Sequence, residues 1–211
     1  MQVITCMQLE VSAADSPPST EQRLIDAALE VFSREGIAKA TTREIAKVAG
    51  VNEVTLFRKF QTKQGLLEAV LSRAFLSTEN GATRPSLANG DSLAEVIRHF
   101  AKTDFERKRG NTGLMRVLVA ESHRMGELET EMMCRIFLPW KQELASQFRE
   151  AIRRGLVRPD MQPELIVDQL VSMLFVGALK LDSGKNTGYT ADTYLEGCID
   201  LMLRGIAPDP T

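Results

Sequence analysis

Little in this sequence invites a catalytic or metal-bound reading. Histidine occurs only as His99 and His123, and cysteine only as Cys6, Cys134 and Cys198. The three cysteines lack metal-ligand spacing and cannot all pair, which excludes a disulfide framework and makes a reducing, cytoplasmic setting the expectation. Ser122 and His123 are neighbours on an expected helix, so their side chains diverge by about 100° and cannot form a nucleophile–base pair. No glycine-rich phosphate loop and no paired metal-ligand motif is present. An enzyme is not expected, nor are catalytic residues, a metal or a cofactor. No apolar run approaches the roughly 20 residues of a membrane span. The opening residues lack a basic start followed by an apolar core, so neither a membrane partner nor a signal peptide is expected.

Strand patterns and internal repeats are also missing. Helical periodicity takes their place, and at 211 residues the chain can hold one large domain or two modest ones. Residues 1–18 show no period, carry no basic residue and contain the Pro17-Pro18 pair. They read as a flexible arm. A first helix begins near Ser19, where Gln22 can complete a capping box, and ends at Gly36. Its stripe of Leu24, Ile25, Ala28, Leu29 and Phe32 faces a core.

The stretch from Thr41 to Lys63 organises the rest. Thr41 can cap a short helix, with Glu44 three residues on to close a capping box. Ile45, Ala46 and Ala49 fall on one face, Ala46 is small enough for a close crossing, and Gly50 can adopt the left-handed conformation that ends a helix. Asn52 then caps a second helix with Leu56 and Phe60 inward. Glu53, Val54, Thr55, Arg58 and Lys59 are left outward on its first two turns. That is a helix-turn-helix whose second helix suits a DNA major groove. Charge agrees with this. The formal net charge is −2, yet residues 41–63 carry +3 and the remainder −5, so one positive face sits on an acidic body.

This run resembles the DNA-binding signature of the tetracycline-repressor-like (TetR) family of bacterial transcription regulators. The shared residues are Thr41-Thr42-Arg43, Ile45-Ala46, Gly50-Val51, Thr55-Leu56, the aromatic Phe57, Phe60 and Lys63. The likeness extends from about Gln22 to Val70, and beyond it only length and helix pattern agree. Phe57 stands where members usually carry tyrosine, so the hydroxyl that commonly reaches a phosphate is absent. The resemblance implies Thr42, Arg43, Phe57 and Lys63 near the phosphate backbone. It implies Glu53, Val54, Thr55, Arg58 and Lys59 at base edges or adjacent phosphates.

The remaining chain reads as six or seven helices, making the whole protein all-α. A helix from about Lys63 to Ser77 links head and body, and Glu79 to Asp91 reads as a mobile loop. Helices follow from Ser92, from Thr112 to Met125, through Met133 to Leu156 with a break or kink at Pro139, from Pro163, and from Ala191 to Arg204. Methionines and aromatics crowd this half. Composition alone fits an ordinary core, whereas the resemblance implies a ligand pocket. The candidate lining is Phe100, Phe105, Met115, Leu118, Ser122, Met133, Phe137 and Trp140, with Glu121 and His123 as further polar groups. The helices near 163–181 and 191–204 are implied to pair with their copies in a homodimer, with Gly177-Ala178 admitting a partner helix closely.

The expectation is therefore a helix-turn-helix head at 19–65 and a ligand-binding, dimerising body at 66–207. The function expected is transcription regulation, a repressor released from a palindromic operator by a small apolar ligand. An enzyme or small-molecule-binding protein with a vestigial head is the competing reading. A sequence-neutral architectural DNA binder is a third, opposed by the modest +3 patch.

Overall fold

The computed structural model describes residues 17–76, 85–125, 133–184 and 186–208. The arm expected at 1–18 lies almost wholly outside them. Among the described residues every regular element is helical.

The head is built by capping. Ser19 and Gln22 form the expected capping box at α1 (Thr20–Glu35), and Gly36 ends it at φ 87°. Thr41 caps α2 (Thr42–Val48) by accepting from the Glu44 N–H. Glu44 does not close the box; its carboxylate lies 3.7 Å from Arg34 on α1. Gly50 takes the left-handed turn at φ 66°, and Asn52 caps α3 (Glu53–Phe60) through the Val54 N–H. Thr62 caps α4 (Lys63–Leu71), whose last turn widens into a π-helical turn over Ser72–Leu76. Leu24, Phe32, Ile45, Leu56, Leu66 and Leu71 close one core. Full burial of each such side chain contributes about 1.5–3 kcal/mol.

The body begins with a 3-10 turn at Leu87–Asn89 and continues through α5 (Leu93–Gly110), α6 (Thr112–Met125), a second π-helical turn at Met133–Phe137, α7 (Leu138–Arg153), α8 (Pro163–Leu181) and α9 (Ala191–Ile206). Pro139 sits in the first turn of α7, where its missing N–H costs nothing, so it opens a new helix. α5 packs on α8 and α9, and α7 packs on α8. Phe105, Met115, Phe148, Leu170, Leu174 and Ile199 fill this second core.

Two expectations change here. The stretch read as a mobile loop is anchored where it is described. Leu87 is 1% exposed, and Gln147 Oε1 accepts from the Leu87 N–H at 3.0 Å and the Ser86 hydroxyl at 3.2 Å. One apolar side chain amid turn formers is enough to pin it. Gly177 does not open onto a partner helix either. It is buried, and a Cβ there would collide with the Tyr194 ring of α9 in the same chain. The Tyr194 hydroxyl donates to the Met173 carbonyl at 2.8 Å, fixing the ring on α8. The small residue serves an internal crossing.

Candidate nucleic-acid interface

α3 presents its outer side to solvent. Val54 is 72% and Phe57 44% exposed, unusual for apolar side chains in a well-packed head. Arg58 is exposed beside them, and neither it nor Arg43 forms an ion pair among the described residues. Thr55 is half-buried. Glu53 and Thr42 are joined: the threonine hydroxyl donates to the Glu53 carboxylate at 2.6 Å, which ties the start of α2 to the start of α3. Lys59 reaches Glu21 on α1 at 3.3 Å, an exposed pair of little energetic weight that a phosphate can replace. Lys63 is half-buried and donates to the Ala38 carbonyl at 3.4 Å. Burial lowers the pKa of its ammonium, against the opposing pull of Glu121. The nine residues expected at DNA thus lie on α2, α3 and the first turn of α4, with Arg43 and Arg58 as the uncommitted cations.

The body contains a cavity of about 220 Å³ between α5, α7 and the turns at 72–76 and 85–86. Of the eight residues expected to line a pocket, Phe100 and Trp140 are in its wall, their rings stacked with centroids 5.6 Å apart. Five of the others are elsewhere. Phe105 and Met115 are in the body core, and Leu118 and Phe137 pack against the head core. The Ser122 hydroxyl donates to the Val119 carbonyl of its own helix. The side chains of Met133 and His123 lie outside what the structure describes. Glu121 points away from the cavity to the head, where it accepts from the Ala38 N–H at 3.0 Å. Sequence reasoning missed His99, Asp104, Arg107, Glu143 and Gln147, which supply most of the cavity's polar lining. Their spacing held a signal. Val96, His99, Thr103 and Arg107 recur every three or four residues along one face of α5.

Asp104 and Lys108 form an ion pair buried beside this cavity. Burial drives the Lys108 pKa down, and the Asp104 charge opposes that.

The sequence pattern of bacterial regulatory proteins of the tetR family matches residues 24–70, and that of the tetracyclin repressor-like C-terminal domain matches residues 87–185. The HTH-type transcriptional regulator BetI 1 of Chromohalobacter salexigens is 30% identical over 146 residues, covering 69% of this chain and 71% of that protein. This chain belongs to the TetR family. An uncharacterized HTH-type regulator of Bacillus subtilis, YvkB, is 38% identical over 87 residues, 38% of this chain and 46% of that protein. Among solved structures, the fatty acid degradation regulator FadR from Bacillus halodurans matches with a TM-score of 0.65 at 19% identity, covering 90% of this chain and 97% of that one, a likeness of fold.

As a TetR-family protein the chain is a helix-turn-helix transcription regulator, which places its α3 surface in a functional context. The family regulates transcription and is not a family of enzymes. No helix among the described residues is long and apolar enough to cross a membrane.

Proposed function

We propose that this TetR-family regulator acts in the cytoplasm as a homodimeric repressor. Its two heads, residues 19–65, bind the half-sites of a palindromic operator. A small molecule in the body, residues 66–207, releases it. The observation that carries this reading is shared structure. Phe75 and Leu76, in the π-helical turn that continues α4, are part of the cavity wall, and α4 begins two residues after the recognition helix α3. π-helical turns frequently mark functional sites. A ligand that displaces Phe75 moves the far end of α4 and with it the spacing of the heads, which must be about 34–36 Å to enter successive major grooves.

The lining argues for a ligand that is amphipathic rather than simply apolar. The Phe100–Trp140 wall suits a flat ring, while His99, Thr103 and Gln147 offer hydrogen bonds around its edge. The dimer is supported by the outer sides of α8 and α9, where Val176 is 58% and Leu201 65% exposed. Gly197 and Gly205, one turn to either side of Leu201, leave open space for a second copy.

Selection of bound DNA fragments by the purified protein tests the operator reading, since a two-fold site with matching spacing is expected. Aromatic compounds found by thermal-shift screening then test release. A hundredfold loss of operator affinity corresponds to about 2.7 kcal/mol of coupling, and the operator must weaken ligand binding equally. Identical ligand affinities with and without operator would refute induction. Leu201→Glu is expected to give a monomeric mass by light scattering.

A further inference from the structure

α4 is not the only connection between head and body. α6 is another, and it belongs to both cores. Leu114 is fully buried in the head core with Val117 and Leu118 packed against that core, whereas Met115 is in the body core. Gly113 brings the start of α6 against α1, where an added Cβ would lie 3.3 Å from the Ser33 Cβ.

Two turns further along α6, Glu121 ends this contact with a polar one. Its Oε2 accepts from the Ala38 N–H at 3.0 Å, in the turn between α1 and α2. Its other oxygen fills the space that a side chain at position 36 would need, and Gly36 leaves that space free at φ 87°. On the far side of the same turn, the Ala38 carbonyl accepts from Lys63, the first residue of α4, at 3.4 Å. One residue of the head is thus gripped by α6 through its amide and by α4 through its carbonyl. A head standing alone would leave that amide to water. Here a carboxylate 83 residues away in sequence takes it, at the entrance to the helix pair that meets DNA.

We propose that Glu121 is a positioning residue for DNA recognition, fixing the α1–α2 turn to the body as the point about which the head turns when the end of α4 is displaced. The proposal rests on the DNA-binding reading of the head. α6 supplies the pivot and α4 the lever, so the angle at which α3 meets the groove depends on both. Loss of the pivot leaves α3, its contacts and the Leu114 packing intact but loosens the angle that the α1–α2 turn keeps to the body. Specific binding, which needs two heads in register, then suffers while binding to random DNA does not.

The test uses the full-length protein, the DNA fragment it selects and a random fragment of equal length. Glu121→Ala is expected to weaken binding to the selected fragment about tenfold, a coupling within the usual allosteric range. The random fragment should be bound as by wild type, and amide exchange at Ala38 should quicken. Glu121→Gln keeps an oxygen that can accept the same bond, so it should restore both operator binding and slow exchange. Unchanged operator binding in Glu121→Ala, or equal losses on both fragments, would overturn the proposal. A glutamine variant as weak as the alanine one would also overturn it, because charge rather than the tether would then be responsible. If the wild type selects no fragment, the DNA-binding reading falls. A failed pivot, in contrast, shows with wild-type selection intact and Ala38 exchange unmoved by Glu121→Ala.

Discussion

The head and the body are held together by different kinds of interaction. Each of α1 to α4 starts at a side-chain cap, Ser19, Thr41, Asn52 or Thr62, and Gly36, Gly50 and Gln61 make the turns at positive φ. These are contacts between residues two to four apart. The body caps α5 at Ser92 and α9 at Thr190 in the same way, but α7 and α8 start without a side-chain cap. It relies more on crossings between distant segments: Tyr194 on Gly177, Gln147 on the turn at 86–87, and α5 against α8 and α9. It also buries a charged pair, Asp104–Lys108. A structure specified locally keeps its shape while its surface changes. One specified by crossings can change its interior cavity only by repacking. That division suits a protein that reads DNA with one part and senses a small molecule with the other.

The contrast is broken most severely at the buried pair. Lys108→Met should cost about 3–5 kcal/mol, because it strands the Asp104 carboxylate inside the body. Adding Asp104→Leu should recover most of that loss, since an apolar pair of similar volume needs no counter-charge. Chemical denaturation of the single and double variants checks this. A single variant as stable as wild type would show that Asp104 finds water or another partner.

On the head the largest effect is expected in recognition rather than stability. Arg58→Ala should remove roughly 1–3 kcal/mol of discrimination between the operator and random DNA. Lys63→Ala tests the expected phosphate contact: equal losses on both DNAs fit that role, since such a contact carries no sequence information, whereas a loss confined to the operator would assign Lys63 to its bond with the Ala38 carbonyl instead. Binding titrations on both DNAs decide it, and equal losses for Arg58→Ala would remove it as a reader. A smaller effect is expected at the cap of α3. Asn52→Ala should lower stability by about 1 kcal/mol through the lost bond to the Val54 N–H, visible as a lower denaturation midpoint.

The mildest test is alkaline and sharpens the body side. Burial, with Cys198 and Tyr189 as further contributors, pushes the Tyr194 pKa up to about 12 from an ordinary value of 10.0. A phenol raised on folding stabilises the native state fully below the unfolded pKa. That contribution is lost as pH climbs from about 10 through about 12. Stability should therefore fall across this window in wild type and fall less in Tyr194→Phe, by denaturation midpoints at each pH.

What could be read from the sequence follows the same division. The head was legible because a cap or a positive-φ glycine announces itself within four residues, as Asn52 and Gly50 do. The body helices were also legible, Pro139 and Pro163 included, since helical period needs no knowledge of partners. The cavity was not. Periodicity separates buried from exposed faces but cannot say what a buried face meets. Phe100 lines the cavity while Phe105, on the same helix, fills the core against Tyr194. The place of Glu121 on a helix apolar on several sides, and so expected to be central, makes it a candidate pocket group, yet that side of α6 turns to the head. Gly177 advertised a close helix approach correctly, and only the identity of the approaching helix, a segment of the same chain, was hidden.

The joint between α3 and α4 has one more consequence. Gln61 is the lone non-glycine residue at positive φ among the described residues, Thr62 caps the next helix at once, and Gly65 lies so near the Phe60 carbonyl that a Cβ would have no room. The recognition helix and the lever behind it are in effect a single bent rod. A body exchanged behind this joint therefore leaves the angle between α3 and α4 unchanged, since the bend travels with the head, and only the α6 contact at Ala38 has to be rebuilt. Chimeras that exchange heads should be cut after the π-helical turn at Ser72–Leu76, where the rod ends, and never at Gln61.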